Sequence, residues 1–239
     1  MPVFAVITNC VLIIFGSILG VLLKDRIPQR FITTLTHCLG LYIVSVGIIS
    51  AITARSALCV VICLVLGSIL GEWIDIEKRL NNCGEFIKRK IIKEENGNST
   101  FVEAFVTAST LFCVGAMSIV GAIEAGANGN PSILLSKAVT DGVTSVSFAA
   151  TLGIGVAFSS IPLLIYEGGF TLLAILVAGT LPEVLLSEMC AVGGCIVIGI
   201  GFNVLNLSKK PLRVANMLPA IFLPLAYYPV ADWLSQLFP

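Results

Sequence analysis

The run VFAVITNCVLIIFGSILGVLL, residues 3–23, decides the fold class of this chain. It contains no charged residue. A helix rises about 1.5 Å per residue, so about 20 apolar residues cross a hydrocarbon core of about 30 Å. Because neither a basic region nor a small-residue cleavage site accompanies the run, we expect it to remain in the protein as a transmembrane helix.

The composition of the whole chain extends this conclusion. Hydrophobic residues make up 57% of the 239 positions and charged residues 12%, with a mean hydropathy of +1.02. Ordinary soluble domains carry about 25% charged residues, so the lipid bilayer is the solvent that fits this chain. The net charge is zero, which gives no support for a nucleic-acid partner.

Further apolar runs predict an all-α, polytopic transmembrane helix bundle of about eight spans, within a range of six to eight. Spans five and six are the candidates for broken or re-entrant pieces. We expect residues 1–239 to form a single integral membrane domain, in which residues 74–100 are a charged cytoplasmic connector. The predicted spans are 3–23, 31–54, 56–73, 101–123, 137–160, 162–181, 190–207 and 218–237.

The basic residues predict the orientation, because cytoplasmic segments carry an excess of lysine and arginine. With the N-terminus outside, only Arg55 and Lys137 of the 14 basic residues fall on the outer side. The other basic residues lie in three inner segments: Lys24, Arg26 and Arg30; Lys78, Arg79, Lys88, Arg89, Lys90 and Lys93; and Lys209, Lys210 and Arg213.

A short motif occurs twice, as GSILG at residues 16–20 and again at 67–71. Small residues four apart let helix backbones approach closely in a membrane, so we expect helix packing at Gly16, Gly20, Gly67 and Gly71. The repeat is open to two interpretations: a duplicated helix unit, as transporters often have, or two independent packing motifs. The same motifs serve between chains, which is compatible with a homo-oligomer.

The connector after the third span has an amphipathic pattern. Its apolar residues recur at helical spacing, which predicts a helix lying on the membrane surface or against the rest of the protein. Two interpretations follow, a packed connector and a docking site for a regulatory partner. The apolar positions are Ile76, Leu80, Cys83, Ile87 and Ile91.

Ionisable residues within membrane segments are costly, so each one is a candidate functional residue. Asp141 follows Lys137 by one helical turn, which favours either a solute- or ion-binding pair or a simple i, i+4 ion pair. Glu167 precedes two glycines, which predicts either a broken helix at mid-depth or a short turn between two segments. Glu124 begins a Gly- and Asn-rich connection and is expected near the outer mouth of a path.

The sequence gives little sign of an enzyme, a metal site or a cofactor. We find no phosphate-binding loop, no paired histidines and no spaced acid and base pair, so catalytic residues are not expected. The spacing of Cys59 and Cys63 is compatible with metal binding, but neither a second pair nor a carboxylate stands near them in sequence. We therefore expect the eight cysteines to be packing residues.

Several strings in this chain resemble a known family. The ordered set is similar to the bacterial membrane-protein family "domain of unknown function 554" (YqgA/YdfK-like), over nearly the whole chain. This resemblance implies a bacterial inner-membrane location and gives no reaction or site residue. The strings are GSILG (16–20), LGSILGE (66–72), FCVGAMSIVGAI (112–123), KAVTDG (137–142), TLGIGVAF (151–158) and RVANMLPA (213–220).

Three functions remain open from the sequence. The first is a secondary transporter or exporter of a small solute or ion, with Lys137, Asp141 and Glu167 along its path. The second is a non-transport scaffold or sensor that acts through the cytoplasmic connector. The third is an ion channel, whose chemistry overlaps with that of the first.

Overall fold

A computed structural model of the chain is built from helices, and no strand occurs among the residues that it describes. An all-α architecture is therefore confirmed. The described residues are 2–24, 28–91, 99–114, 116–127, 129–177, 182–207 and 210–237.

Eleven α-helices and one long 3₁₀ helix follow one another through these residues. They are α1 (Pro2–Lys24), α2 (Gln29–Ala51), α3 (Ala57–Ile74), α4 (Ile76–Ile91), α5 (Ser99–Val114), α6 (Ala116–Ala127), α7 (Ser132–Leu152), α8 (Gly155–Phe158), α9 (Ser160–Val177), α10 (Glu183–Val204), the 3₁₀ helix (Val214–Phe222) and α11 (Pro224–Leu237).

Five helical segments of the described chain are long and apolar enough to cross a membrane: α1, α2, α3, the α8 and α9 segment, and α10. Large apolar side chains such as Phe15, Trp73 and Ile165 are exposed on their outer faces. A soluble monomer rarely exposes apolar patches of this extent, whereas lipid accepts them. The fold is thus a transmembrane helix bundle.

The remaining predicted spans are less regular. The fourth consists of α5 and α6, with residue 115 between them outside the described residues. The fifth corresponds to α7, whose polar residues keep it out of the apolar group. The eighth begins as the 3₁₀ helix around Pro219 and continues as α11. Proline removes backbone donors, which disfavours a regular α-helix there.

Three helix pairs define the relative directions of the spans. Helices α1 and α7 run parallel, whereas α2 runs antiparallel to α10 and α3 runs antiparallel to the 3₁₀ helix. The eight-span arrangement requires the same directions. In it the odd-numbered spans (α1, α3, α7 and α10) cross the membrane one way, and the even-numbered spans, which include α2 and the 3₁₀ helix, cross it the other way. The neighbours that establish them are Gly16 beside Gly142, Gly20 beside Val146, Gly40 beside Leu205, Ala51 beside Gly194, Gly67 beside Ala220, and Gly71 beside Asn216.

Two boundary predictions in α9 and α10 are wrong. Glu167 and its two glycines form neither a break nor a turn, because α9 is continuous from Ser160 to Val177. Glycine lowers helix propensity by only about 1 kcal/mol, which tertiary packing overrides. Residues 182–189 are not a connection either, since α10 begins at Glu183, directly after Pro182.

The amphipathic connector is the helix α4, which packs against α5 at Gly84, close to Phe105 and Val102. Within its predicted apolar face, Ile76, Leu80 and Ile87 are half-buried and Cys83 is exposed, while the side chain of Ile91 lies outside the described set. This placement favours a packed connector over a free docking helix.

The two GSILG motifs lie at close helix contacts. Gly16 and Gly20 of α1 lie against the backbone of α7, and Gly67 and Gly71 of α3 lie against the 3₁₀ helix. Below the second contact, Arg213 forms ion pairs with Glu72 and Asp75. Small residues thus allow the helix backbones to approach closely, and the Arg213 ion pairs lie at the end of the contact between α3 and the 3₁₀ helix.

We expect Gly16→Ala to destabilise the bundle, because the added Cβ would meet the Gly142 carbonyl oxygen and the Ser145 hydroxyl. Overpacking costs about 1–3 kcal/mol. For a domain of this size, that corresponds to a fall in the Tm of roughly 2–10 °C. The measurement is the thermal unfolding midpoint in detergent.

Gly168→Ala is the matched control, because no described heavy atom lies within 4 Å of a Cβ at Gly168. It should leave the midpoint unchanged or raise it slightly, since alanine favours a helix. Equal midpoints for the two variants would contradict close packing of α1 on α7.

Candidate functional site

Four polar side chains meet inside the bundle where α1, α7 and α9 come together. They are Asn9 from α1, Lys137 and Asp141 from α7, and Glu167 from α9. Asn9 and Glu167 have no exposed surface, while Lys137 and Asp141 retain 4% and 8%. We call these four residues the buried polar cluster.

Each nitrogen of the buried polar cluster bridges both carboxylates. The Lys137 ammonium donates to Asp141 Oδ2 and lies 3.1 Å from Glu167 Oε1. The Asn9 amide Nδ2 donates to Asp141 Oδ2 at 3.0 Å and to Glu167 Oε2 at 3.2 Å. The cluster therefore ties α1, α7 and α9 together through charge-assisted hydrogen bonds.

Helix periodicity explains how each side chain reaches this point. Lys137 and Asp141 are four residues apart and share one face of α7. On α9, Glu167 lies on the buried face with Leu163 and Thr171, each one turn away. Regular helices are sufficient to aim all of these groups inward.

The charges of the buried polar cluster do not balance. One ammonium faces two carboxylates, so the fully ionised cluster carries one excess negative charge. In addition, Asn9 Oδ1 is buried and has no hydrogen-bond partner among the residues that the structure describes. Buried charge is costly unless it is paired, and a buried polar atom without a partner costs about 1–3 kcal/mol.

The ammonium also limits what else can bind between the carboxylates. A metal cation in contact with both Asp141 and Glu167 would lie close to the Lys137 nitrogen, which is already within hydrogen-bond range of both. Two like charges 4 Å apart repel by about 4 kcal/mol at an effective dielectric constant of 20. The cluster is therefore better suited to gaining a proton than to gaining a metal ion.

A cavity of about 210 Å³ borders one side of the cluster. Lys137, Thr140, Asp141 and Thr144 of α7 line it, opposite residues of α2, α5 and α10 such as Tyr42. Asp141 thus faces a space large enough for water or a small solute, whereas Glu167 lies behind it with no exposed surface.

The structure brings together three of the four residues that the sequence suggested. Glu124 lies instead within α6, where its carbonyl oxygen accepts a hydrogen bond from the Asn130 backbone. Among the described contacts, no hydrogen bond or ion pair joins Glu124 to the cluster. Its predicted position in a flexible connection is wrong, because α6 continues to Ala127.

Sequence reasoning missed Asn9. The signal was present, since Asn9 is the one amide in the otherwise apolar run of residues 3–23. Polar side chains in such a run face the bundle interior and find partners there, so an amide in the first span was a candidate.

A second buried carboxylate, Glu188 on α10, was also missed. Its Oε1 accepts hydrogen bonds from the backbone N–H groups of Arg55 and Ser56 and from the Tyr228 hydroxyl. Glu188 therefore joins α10 to the start of α3, although its Oε2 has no hydrogen-bond partner in the described part of the chain. A proline immediately before a largely apolar run is typical of a helix start, so Pro182 was the signal that could have placed Glu188 inside a helix.

The cysteine pair lies in the hydrophobic core. The Sγ atoms of Cys59 and Cys63 are 3.8 Å apart, and both residues are buried. Within the described ranges, no group of three or more His, Cys, Asp or Glu residues is arranged to hold a metal ion.

Comparison with known proteins places the chain among membrane proteins. The family described as "Protein of unknown function (DUF554)" matches residues 4–228. The chain belongs to the DUF554 family. It is 31% identical to the "Uncharacterized membrane protein YdfK" of Bacillus subtilis over 226 residues, covering 92% of this chain and 93% of the relative.

A second DUF554-type relative is the "Uncharacterized protein YqgA" of Escherichia coli. It is 30% identical over 217 residues, covering 90% of this chain and 92% of the relative. No solved structure gives a significant match. The matched DUF554 region includes all four residues of the buried polar cluster.

We expect Lys137→Met to destabilise the protein strongly, because it leaves two carboxylates without their ammonium. Removing one partner of a buried ion pair costs about 3–5 kcal/mol. The triple variant Lys137→Met, Asp141→Asn, Glu167→Gln keeps the shapes and removes all three charges, so it should recover most of this loss.

Denaturant unfolding in detergent micelles provides the measurement for both variants. If Lys137→Met is as stable as the wild type, or if the triple variant is the less stable of the two, the charge balance described above is incorrect.

Proposed function

We propose that this membrane protein is a secondary transporter or exporter of a small solute or ion in the bacterial inner membrane. Its buried polar cluster would be the site at which an ion or proton is coupled to movement. The observation that carries this proposal is one ammonium shared by two carboxylates, from two helices, inside a membrane domain.

Energetic cost supports a functional role for the cluster. Ionisable groups in membrane segments are rare, and those that occur commonly mark ion pathways and proton relays. A purely structural tie between α7 and α9 needs only one ammonium and one carboxylate. The additional carboxylate is therefore not explained by a structural tie, whereas a site that binds a cation or proton uses it.

The surroundings of the cluster also support transport. The cavity beside Lys137 and Asp141 gives a small solute access to the charged groups. Helices α1 and α7 meet at Gly16, Gly20 and Gly142, where the missing side chains bring the two backbones close together. Such contacts are compatible with the sliding of packed helices that accompanies shear motions.

Flux measurements test this proposal. Proteoliposomes adsorbed on a solid-supported membrane would be exposed to inorganic ions, organic acids, amines and sugars, with and without a pH gradient. We expect a transport current for at least one class, and we expect Asp141→Asn and Glu167→Gln to reduce it by about tenfold or more, as the loss of a hydrogen bond to a charged group implies.

Glu188→Gln is the matched control for loss of a buried carboxylate. Glutamine can still accept the hydrogen bonds from the backbone of Arg55 and Ser56, so the current should remain near the wild-type level. Currents that are unchanged in all three variants would contradict a role of the cluster in transport, whereas the absence of any current in the wild type would favour a scaffold acting through α4.

The proposed orientation places the N-terminus outside and α4 in the cytoplasm. Cys83 on α4 is exposed and provides a native probe. In a variant whose only cysteine is Cys83, a membrane-impermeant maleimide should label permeabilised cells and not intact ones.

Glu183→Cys is the control for the outer side. The Glu183 side chain is 93% exposed at the start of α10, which the predicted orientation places outside. It should be labelled in intact cells. The reverse labelling of these two positions would invert the proposed orientation.

A further inference from the structure

We propose that the buried polar cluster holds one exchangeable proton, bound by the carboxylates of Asp141 and Glu167 with Asn9 as the accepting side chain. The coupling role of this proton rests on the transport function proposed above. The existence of the proton-binding site rests on the geometry of the four side chains.

The number of protons follows from the charges. Lys137 contributes one positive charge, and Asp141 and Glu167 contribute two negative charges, all within one hydrogen-bonded group. A single added positive charge makes the group neutral. The step involves no covalent rearrangement of the protein, because a proton from water adds to a carboxylate oxygen and leaves by the reverse path.

A proton fits this position better than a metal cation. The Lys137 ammonium already lies between the two carboxylates, where a metal cation would have to coordinate. A proton needs no such space, because it adds to an oxygen atom and then forms a hydrogen bond. The binding of a metal cation would require Lys137 to leave its place first.

Asn9 is suited to both protonation states. With both carboxylates ionised, its Nδ2 donates to each of them, and its Oδ1 is left buried without a partner. A half-turn of the amide brings Oδ1 to the carboxylates, where it can accept a hydrogen bond from a protonated carboxyl. Protonation therefore supplies the donor that Asn9 Oδ1 lacks.

The other titratable groups around the cluster do not supply the missing charge. Among the described residues they are thiols and phenols, neither of which carries a positive charge in any protonation state. Those near the cluster on the packed helices are Cys10 of α1, Cys113 of α5 and Tyr166 of α9, together with Tyr42 of α2 across the cavity.

The entry path follows from the burial of the two carboxylates. Asp141 borders the cavity together with Thr140 and Thr144, whereas Glu167 has no exposed surface. A proton therefore reaches Asp141 first, and the Lys137 ammonium, which contacts both carboxylates, can then give one of its protons to Glu167 and take the proton of Asp141 in return.

Infrared difference spectroscopy of the full chain in lipid nanodiscs tests this inference without a substrate. Spectra recorded between high and low pH report the C=O stretch of a protonated carboxyl group. We expect a band from a buried carboxyl in the wild type. In Asp141→Asn and in Glu167→Gln, the Lys137 ammonium balances the charge of the one remaining carboxylate, so the cluster needs no proton to be neutral. We therefore expect the carboxyl band to lose most of its amplitude in both variants.

Two further variants distinguish the alternatives. Asn9→Asp adds a third carboxylate at nearly constant volume, so the band should roughly double. Glu188→Gln should leave the band unchanged. Size-exclusion profiles check that each variant is folded, and Asn9→Asp provides a gain of signal that misfolding does not imitate.

Three results would overturn the inference: no titrating band in the wild type, a band that persists in both Asp141→Asn and Glu167→Gln, or a band lost only in Glu188→Gln. Because the titration needs no flux, it is separable from the transport proposal. A titrating band without any transport current would contradict transport alone, and a current without the band would contradict the proton site alone.

Discussion

The constraint on which the rest of the structure depends is that hydrocarbon cannot solvate charge. Lys137, Asp141 and Glu167 lie within helices of a membrane domain, so their charges must be met by one another and by Asn9. This requirement holds α1, α7 and α9 against one another, because displacement of any of these helices would leave a charged or polar group without its partner. Packing of apolar side chains alone supplies little such specificity in a bilayer, where lipid tails compete equally well for apolar surfaces.

Small residues make this arrangement sterically possible. Hydrogen bonds near 3 Å between short side chains of different helices require close backbones, and Gly16 and Gly142 provide that approach between α1 and α7. The same motif operates at Gly67 and Gly71, where α3 meets the 3₁₀ helix. The two copies therefore have the same physical role with different partners. The first copy lies on α1, which contributes Asn9 to the buried polar cluster. The second copy lies on α3, next to the ion pairs of Arg213 with Glu72 and Asp75.

The parts of the site that were predictable from the sequence are those that depend on local geometry. The Lys137 and Asp141 pair follows from helical spacing, and the membrane fold follows from apolar runs. The position of Glu167 was not predictable, because its two glycines favour a break when only local propensity is considered. Tertiary contacts of α9 keep that helix continuous and turn Glu167 inward. The role of Glu188 was not predicted for a related reason, because its backbone hydrogen-bond donors come from residues more than 130 positions away.

The contrast between Glu188 and the buried polar cluster separates a structural carboxylate from a candidate functional one. Both sites are buried, and both join distant parts of the chain. At Glu188 two of the three donors are backbone N–H groups, which keep their positions and cannot change their charge, and the third is the Tyr228 hydroxyl. In the cluster, the donors are an amide that can reverse its polarity and an ammonium shared by two acids. A site whose members can rearrange around a gained or lost charge can adopt two states. Coupling requires this property, because an ion can drive a conformational change only to the extent that it binds one state better than the other.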